Sequence, residues 1–93
     1  LFAAGYSACF SNAILHVARE TKVAIKSAPT TAVVAIGPNE NGGFALAASL
    51  SVELELDQED AVQLVKTAHQ VCPYSNAVRG NIDVKLTVNG VAL

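Results

Sequence analysis

Apolar residues recur at helical spacing from the start of the chain. Phe2, Tyr6, Cys9, Phe10, Ala13 and Val17 follow the i, i+3, i+4, i+7 rule of one stripe. The spacing predicts a helix from Leu1 to about Lys22. Gly5 lies one turn before Cys9 and Ala13 one turn after it, so small side chains flank this thiol and let another element approach closely. Thr30–Ile36 is β-branched and apolar, and it runs into "GPNENGG" at 37–43, which is dense in turn formers. A hairpin is expected, returning through Phe44–Leu56. In the return strand Leu46, Ala48, Leu50, Val52, Leu54 and Leu56 face one way, while Ser49, Ser51, Glu53 and Glu55 face the other. One sheet face should be wet over that half.

Asp57 followed by Asp60 reads as an N-cap with an acidic first turn, and Ala61, Leu64, Val65, Ala68, Val71 and Cys72 continue as a second helical stripe. That helix should end at Cys72, because Pro73 disfavours helical geometry in the residue before it. Ile82, Val84, Leu86 and Val88 alternate as a last strand, with Asn89-Gly90 as a turn. The predicted order is αββαβ, without internal repeat or linker. Mixed elements without strict alternation point to an α+β fold, helices covering one face of an antiparallel-type sheet.

Composition narrows this picture. With 93 residues, 52% hydrophobic and 15% charged, residues 1–93 are expected to bury a single core as a single domain. The formal net charge is −2 and no basic stripe occurs, so neither nucleic acid nor an anionic membrane is favoured as partner. No apolar run reaches the roughly 18 residues that span a bilayer, and Leu1–Ala4 lacks the charged front of a signal peptide. The expectation is a soluble, intracellular chain. It contains no methionine and opens directly on "LFAAGY", so further residues are expected before Leu1.

The candidate chemistry rests on the two cysteines, Cys9 in "SACFSNAILHVARE" and Cys72 in "HQVCPYSNAVRGN". As inert small hydrophobes they would be unexceptional. Cys9 on its stripe fits that reading better than Cys72, which lies at a helix end beside a polar run. A disulfide between them would close a loop of roughly 64 residues and contribute on the order of 4 kcal/mol. In an intracellular protein such a bridge is more often redox-active than structural. For a metal, His69 and Cys72 are a credible i, i+3 pair, but Cys9 and His16 lie about 10 Å apart along a helix, too far to share one tetrahedral ion. His16 and His69 are read as partly exposed helix residues, and no metal is expected. A cysteine protease would need a histidine and an oxyanion loop paired with a thiol, and only His69 beside Cys72 approaches that.

The motifs "LFAAGYSACF" and "AHQVCPYSNAVRGNIDVKLTV", with "IGPNENGGFALAASLSVEL" between them, resemble the organic hydroperoxide resistance (Ohr) branch of the OsmC/Ohr family over essentially the whole chain. The "VCPYSNAVRGN" wording separates it from the sister OsmC branch. The resemblance implies an intertwined homodimer of α+β subunits with its active sites at the subunit interface. It implies a bacterial, cytoplasmic thiol peroxidase that reduces organic and fatty-acid hydroperoxides. No cofactor is bound, and lipoylated proteins or dihydrolipoamide act as reductant. Cys9 matches the peroxidatic cysteine and Cys72 the resolving one. Phe10 and Phe44 are candidates for the substrate pocket, with ordinary core as the alternative for each. The family's activating arginine and glutamate lie N-terminal to "LFAAGY", as do strands of the same sheet. Without them an unpaired edge and exposed apolar surface are expected, and the chain would be an incomplete enzyme. Arg79 is read as an ion pair or loop anchor. The rival functions are a truncated, non-catalytic dimerisation or interaction domain of the same fold, an OsmC-branch peroxidase, and a zinc-bound structural module.

Overall fold

The computed structural model describes residues 1–93. Helix α1 spans Phe2–Glu20, strands β1 and β2 span Thr30–Pro38 and Phe44–Val52, and helices α2 and α3 span Gln58–Val71 and Pro73–Val78. Strands β3 and β4 span Asp83–Val88 and Val91–Ala92. The α+β reading holds, with two additions to the expected order: the six-residue α3 and the two-residue β4.

Local chemistry sets the boundaries. Lys22 takes a left-handed φ of 59° after α1, and the amides of Lys22 and Val23 return to the carbonyls of Arg19 and Ala18. That is the Schellman arrangement, which satisfies the last orphan carbonyls of the helix. In the β1–β2 turn, Asn39 Oδ1 accepts from the amides of Asn41 and Gly43, and Gly42 supplies the positive φ. Asp57 occupies the N-cap position of α2 without a side-chain cap hydrogen bond, and Glu59 and Asp60 place negative charge in its first turn. Asn89 and Gly90 both have positive φ, as a tight hairpin turn between β3 and β4 requires. Asn89 also accepts from the Leu54 amide at 2.8 Å and donates to the Leu54 carbonyl at 3.0 Å, tying the exit of β2 to this turn.

The four strands lie in the order β1-β2-β3-β4. β1 and β2 are antiparallel as expected and the added β4 pairs antiparallel with β3, but β2 and β3 run parallel, so the sheet is mixed rather than of antiparallel type. The reason is the connection: α2 and α3 carry the chain back across the sheet, and a helical crossover delivers the next strand in parallel. β3 meets β2 only over Ala47–Val52, which leaves the outer part of the β1–β2 hairpin two-stranded. The return strand ends at Val52, four residues short of the expected Leu56, although its alternation persists through buried Leu54. Tyr6, Phe10, Ile14 and Val17 of α1 join Ala61, Leu64, Val65 and Ala68 of α2 over Ala48, Leu50, Val52 and Val88 of the sheet to form the core. Ser51, Asp83 and Lys85 lie on the other, exposed face.

Candidate active site

Cys72 lies where two helices meet. Its φ of −59° and ψ of 124° break the chain between α2 and α3, as expected for a residue before proline, and Pro73 opens α3 where no amide is needed. The Cys72 amide donates to the Ala68 carbonyl, and its own carbonyl accepts from Asn76, so one residue closes α2 and opens α3. This break turns the Cys72 side chain toward the middle of α1. The two sulfurs approach to 3.4 Å, with the Cys72 thiol donating to Cys9 Sγ, and both thiols are free. Cys72 is fully buried and Cys9 half-buried.

Electrostatics at Cys9 run against ionisation. Burial raises its pKa above the ordinary thiol value, a backbone hydrogen bond from Tyr74 partly opposes this, and the neighbouring Cys72 thiol raises it further. Phe2, Tyr6, Phe10 and Tyr74 form an aromatic group beside the thiols, with Tyr6 and Tyr74 centroids 5.6 Å apart and Phe2 and Tyr74 5.8 Å apart. Gly5 makes this possible: a methyl group there would collide with the Tyr74 hydroxyl. The close approach suggested by Gly5 is therefore made by Tyr74.

The remaining candidates fall in different places. Phe10 is fully buried and packs edgewise on Tyr6, whereas Phe44 stands 73% exposed at the start of β2 and belongs to no aromatic pair. One ring belongs to the core and the other to the surface. His16 is exposed, 4.0 Å from Glu20 one turn on. His69 is half-buried, its Nδ1 2.8 Å from Ser75 Oγ, and its pKa is lowered by burial and then by the Arg79 charge. Arg79 is an anchor: it donates to the His69 carbonyl at 2.6 Å and to Asn76 Oδ1 at 2.5 Å. A cavity of about 620 Å³ lined by residues such as Ile25, Lys26, Glu53 and Leu54 contains neither thiol.

Sequence reasoning missed Ser75, which is fully buried and bonded to both His69 Nδ1 and the Tyr6 hydroxyl, the latter at 2.6 Å. Within a polar run it reads as exposed. The available signal is its spacing, one turn after Cys72 on a helix that Pro73 begins.

The α+β fold thus brings two free thiols to 3.4 Å of one another. The OsmC-like protein family model matches residues 1–87. The chain is 48% identical over 87 residues to the organic hydroperoxide resistance protein OhrB of Bacillus subtilis, covering 92% of this chain and 64% of that protein. It is 43% identical to an organic hydroperoxide resistance protein-like protein of Staphylococcus epidermidis, covering 95% of this chain and 63% of the relative. A Vibrio cholerae structure assigned to organic hydroperoxide resistance, with captopril in one of its active sites, superposes with a TM-score of 0.97 at 70% identity, over 99% of this chain and 64% of that one. The chain belongs to the OsmC-like family, and these relatives are organic hydroperoxide resistance proteins. It spans less than two thirds of their length.

Proposed function

We propose that this chain carries the reacting thiols of a peroxidase that reduces organic and fatty-acid hydroperoxides to alcohols. The observation that carries this reading is the 3.4 Å approach of a half-buried Cys9 sulfur to a fully buried Cys72 sulfur. An attacking thiolate must meet its substrate, whereas a resolving thiol needs only to meet the first sulfur, so the difference in exposure supports Cys9 as attacker and Cys72 as resolver. The Cys9 thiolate attacks the distal oxygen of the hydroperoxide. The S–O bond forms as O–O breaks, Cys9 becomes a sulfenic acid, and the alkoxide takes a proton to leave as alcohol. Cys72, giving up its proton, then attacks Cys9 Sγ; the S–S bond forms, S–O breaks, and hydroxide leaves as water. A dithiol, here dihydrolipoamide or a lipoylated protein, reduces the bridge.

The raised pKa of Cys9 means that attack needs a positive charge brought to the sulfur. The family resemblance assigns this charge, together with stabilisation of the departing peroxide oxygen, to an arginine and a glutamate N-terminal to the first motif, the arginine carrying the positive charge. It also implies a homodimer in the bacterial cytoplasm, whose subunit interface would bring the exposed Phe44 into play as apolar lining, while Phe10 stays in the core beneath the thiols. The same raised pKa favours one second reading, a dimer-forming domain that turns over nothing.

Intact mass separates the two. After one equivalent of cumene hydroperoxide the reduced chain should lose the mass of two hydrogens, and dihydrolipoamide should restore it. An unchanged mass with both thiols still titratable would leave the non-catalytic reading.

A further inference from the structure

A chain of hydrogen-bonded side chains runs beside the two thiols without including either. Ser75 is its node, 2.6 Å from the Tyr6 hydroxyl and 2.8 Å from His69 Nδ1. Its members sit at fixed steps from the sulfurs. Tyr6 lies one turn before Cys9 on α1, His69 one turn before Cys72 on α2, and Ser75 one turn after Cys72 on α3. Tyr6 and Ser75 are fully buried, and no buried side-chain polar atom lacks a partner. A serine hydroxyl has one proton and two lone pairs, so it can accept from the tyrosine while donating to a neutral imidazole, or do the reverse.

The Cys72 backbone is bonded only within α2 and α3. Two side-chain hydrogen bonds tie this break to α1: the Cys72–Cys9 thiol contact and Tyr6–Ser75. The first ends on the Cys9 sulfur, the atom that gains an oxygen when peroxide is reduced. Only the second is untouched by that change. On the far side, Arg79 holds the His69 carbonyl and so fixes the last turn of α2 from which His69 reaches Ser75.

We propose that Ser75, bridging Tyr6 and His69, is a positioning residue that keeps the Cys72 sulfur aimed at Cys9 through the resolving step, an inference that rests on the peroxidase reading above. It touches neither substrate nor sulfur. It acts on the second reaction, in which Cys72 displaces hydroxide from the Cys9 sulfenic acid, and leaves the first one alone. Losing it should therefore lengthen the life of the sulfenic acid and expose Cys9 to further oxidation to the sulfinic acid.

The test compares the wild-type chain with Ser75→Ala, Tyr6→Phe and His69→Asn in single turnover with cumene hydroperoxide, following peroxide loss, dimedone-trapped sulfenic acid and disulfide by mass. Ser75→Ala should consume its first equivalent within about twofold of the wild-type rate, yet close the disulfide about tenfold more slowly and accumulate sulfinic acid. Tyr6→Phe, which removes one bond and keeps the ring, should move closure the same way by less and guards against a folding failure in Ser75→Ala. His69→Asn keeps a polar atom at the position of Nδ1 and should close near the wild-type rate. Wild-type closure in both Ser75→Ala and Tyr6→Phe, or equal slowing of both steps, overturns the proposal. If the wild-type chain ignores hydroperoxide, the peroxidase reading fails, and diamide oxidation still judges the positioning: slower closure in Ser75→Ala supports it and equal closure refutes it.

Discussion

Phe10 and Phe44 mark two regions that treat one residue type in opposite ways. Around Phe10 three helices converge, every buried polar atom is bonded, and four aromatic rings and both thiols are packed together. Around Phe44 the hairpin has outrun its third strand, because β3 begins opposite Ala47. There Ile36 and Phe44 are 70% and 73% exposed on the sheet face that the helices cover elsewhere. A two-stranded ribbon is marginal in water, and these apolar side chains form an exposed patch on it. The chain closes off the region around its thiols and leaves its hairpin open.

The largest expected effects fall on chemistry, where the comparison gives Phe44's region no part unless a second subunit brings it there. Cys9→Ser should abolish peroxide consumption. Cys72→Ser should react once and then stall or over-oxidise, read by single-turnover peroxide loss and mass. Retained consumption in Cys9→Ser would reverse the two roles. Stability comes next. Phe10→Ala removes a fully buried ring and should cost about 3–5 kcal/mol, while Phe44→Ala should stay within about 0.5 kcal/mol in the monomer, both measured by urea unfolding. A large cost at Phe44 that varies with protein concentration would mean that a second copy covers it. Ile36→Ser probes the same point more gently: sedimentation should show weaker self-association with an unchanged monomer midpoint, and association equal to wild type would send the search for a cover elsewhere.

The contrast between the two rings was only half legible in the sequence. Phe10 lies on the stripe with Tyr6 one turn before it, which pointed inward but left open whether it lined a substrate pocket or the core. Phe44 follows a glycine-rich turn and begins a real alternation, so its apolar character is plain, but alternation cannot say where the neighbouring strand starts. The parallel pairing of β2 and β3 was hidden for the same reason: it depends on where α2 and α3 deliver the chain, a property of packing rather than pattern. α3 was missed because only Ser75 and Val78 of its six residues are buried, too short a stripe to register. The break at Cys72 was legible through Pro73. That the break turns this thiol onto Cys9, and seals Ser75 beside it, required the fold.

The smallest expected effect is a slope. Burial, and then the Arg79 charge, lower the pKa of His69 in the folded chain below its ordinary 6.5. Above that value neither state protonates the ring, and the stability tied to its neutral form is fully present. As pH falls through about 6.5 the unfolded chain takes up a proton that the folded chain resists, so stability is lost. The bond from His69 Nδ1 to Ser75 is part of what protonation would perturb, since a charged imidazole can only donate there. The urea midpoint of the wild-type chain should therefore drop more steeply between about pH 7 and 5.5 than that of His69→Asn, which has nothing to titrate at this position. Parallel slopes would mean that the imidazole gains its proton in the folded chain as easily as in the unfolded one. The tie beside the thiols would then be looser than the closed, fully bonded region that distinguishes it from the hairpin.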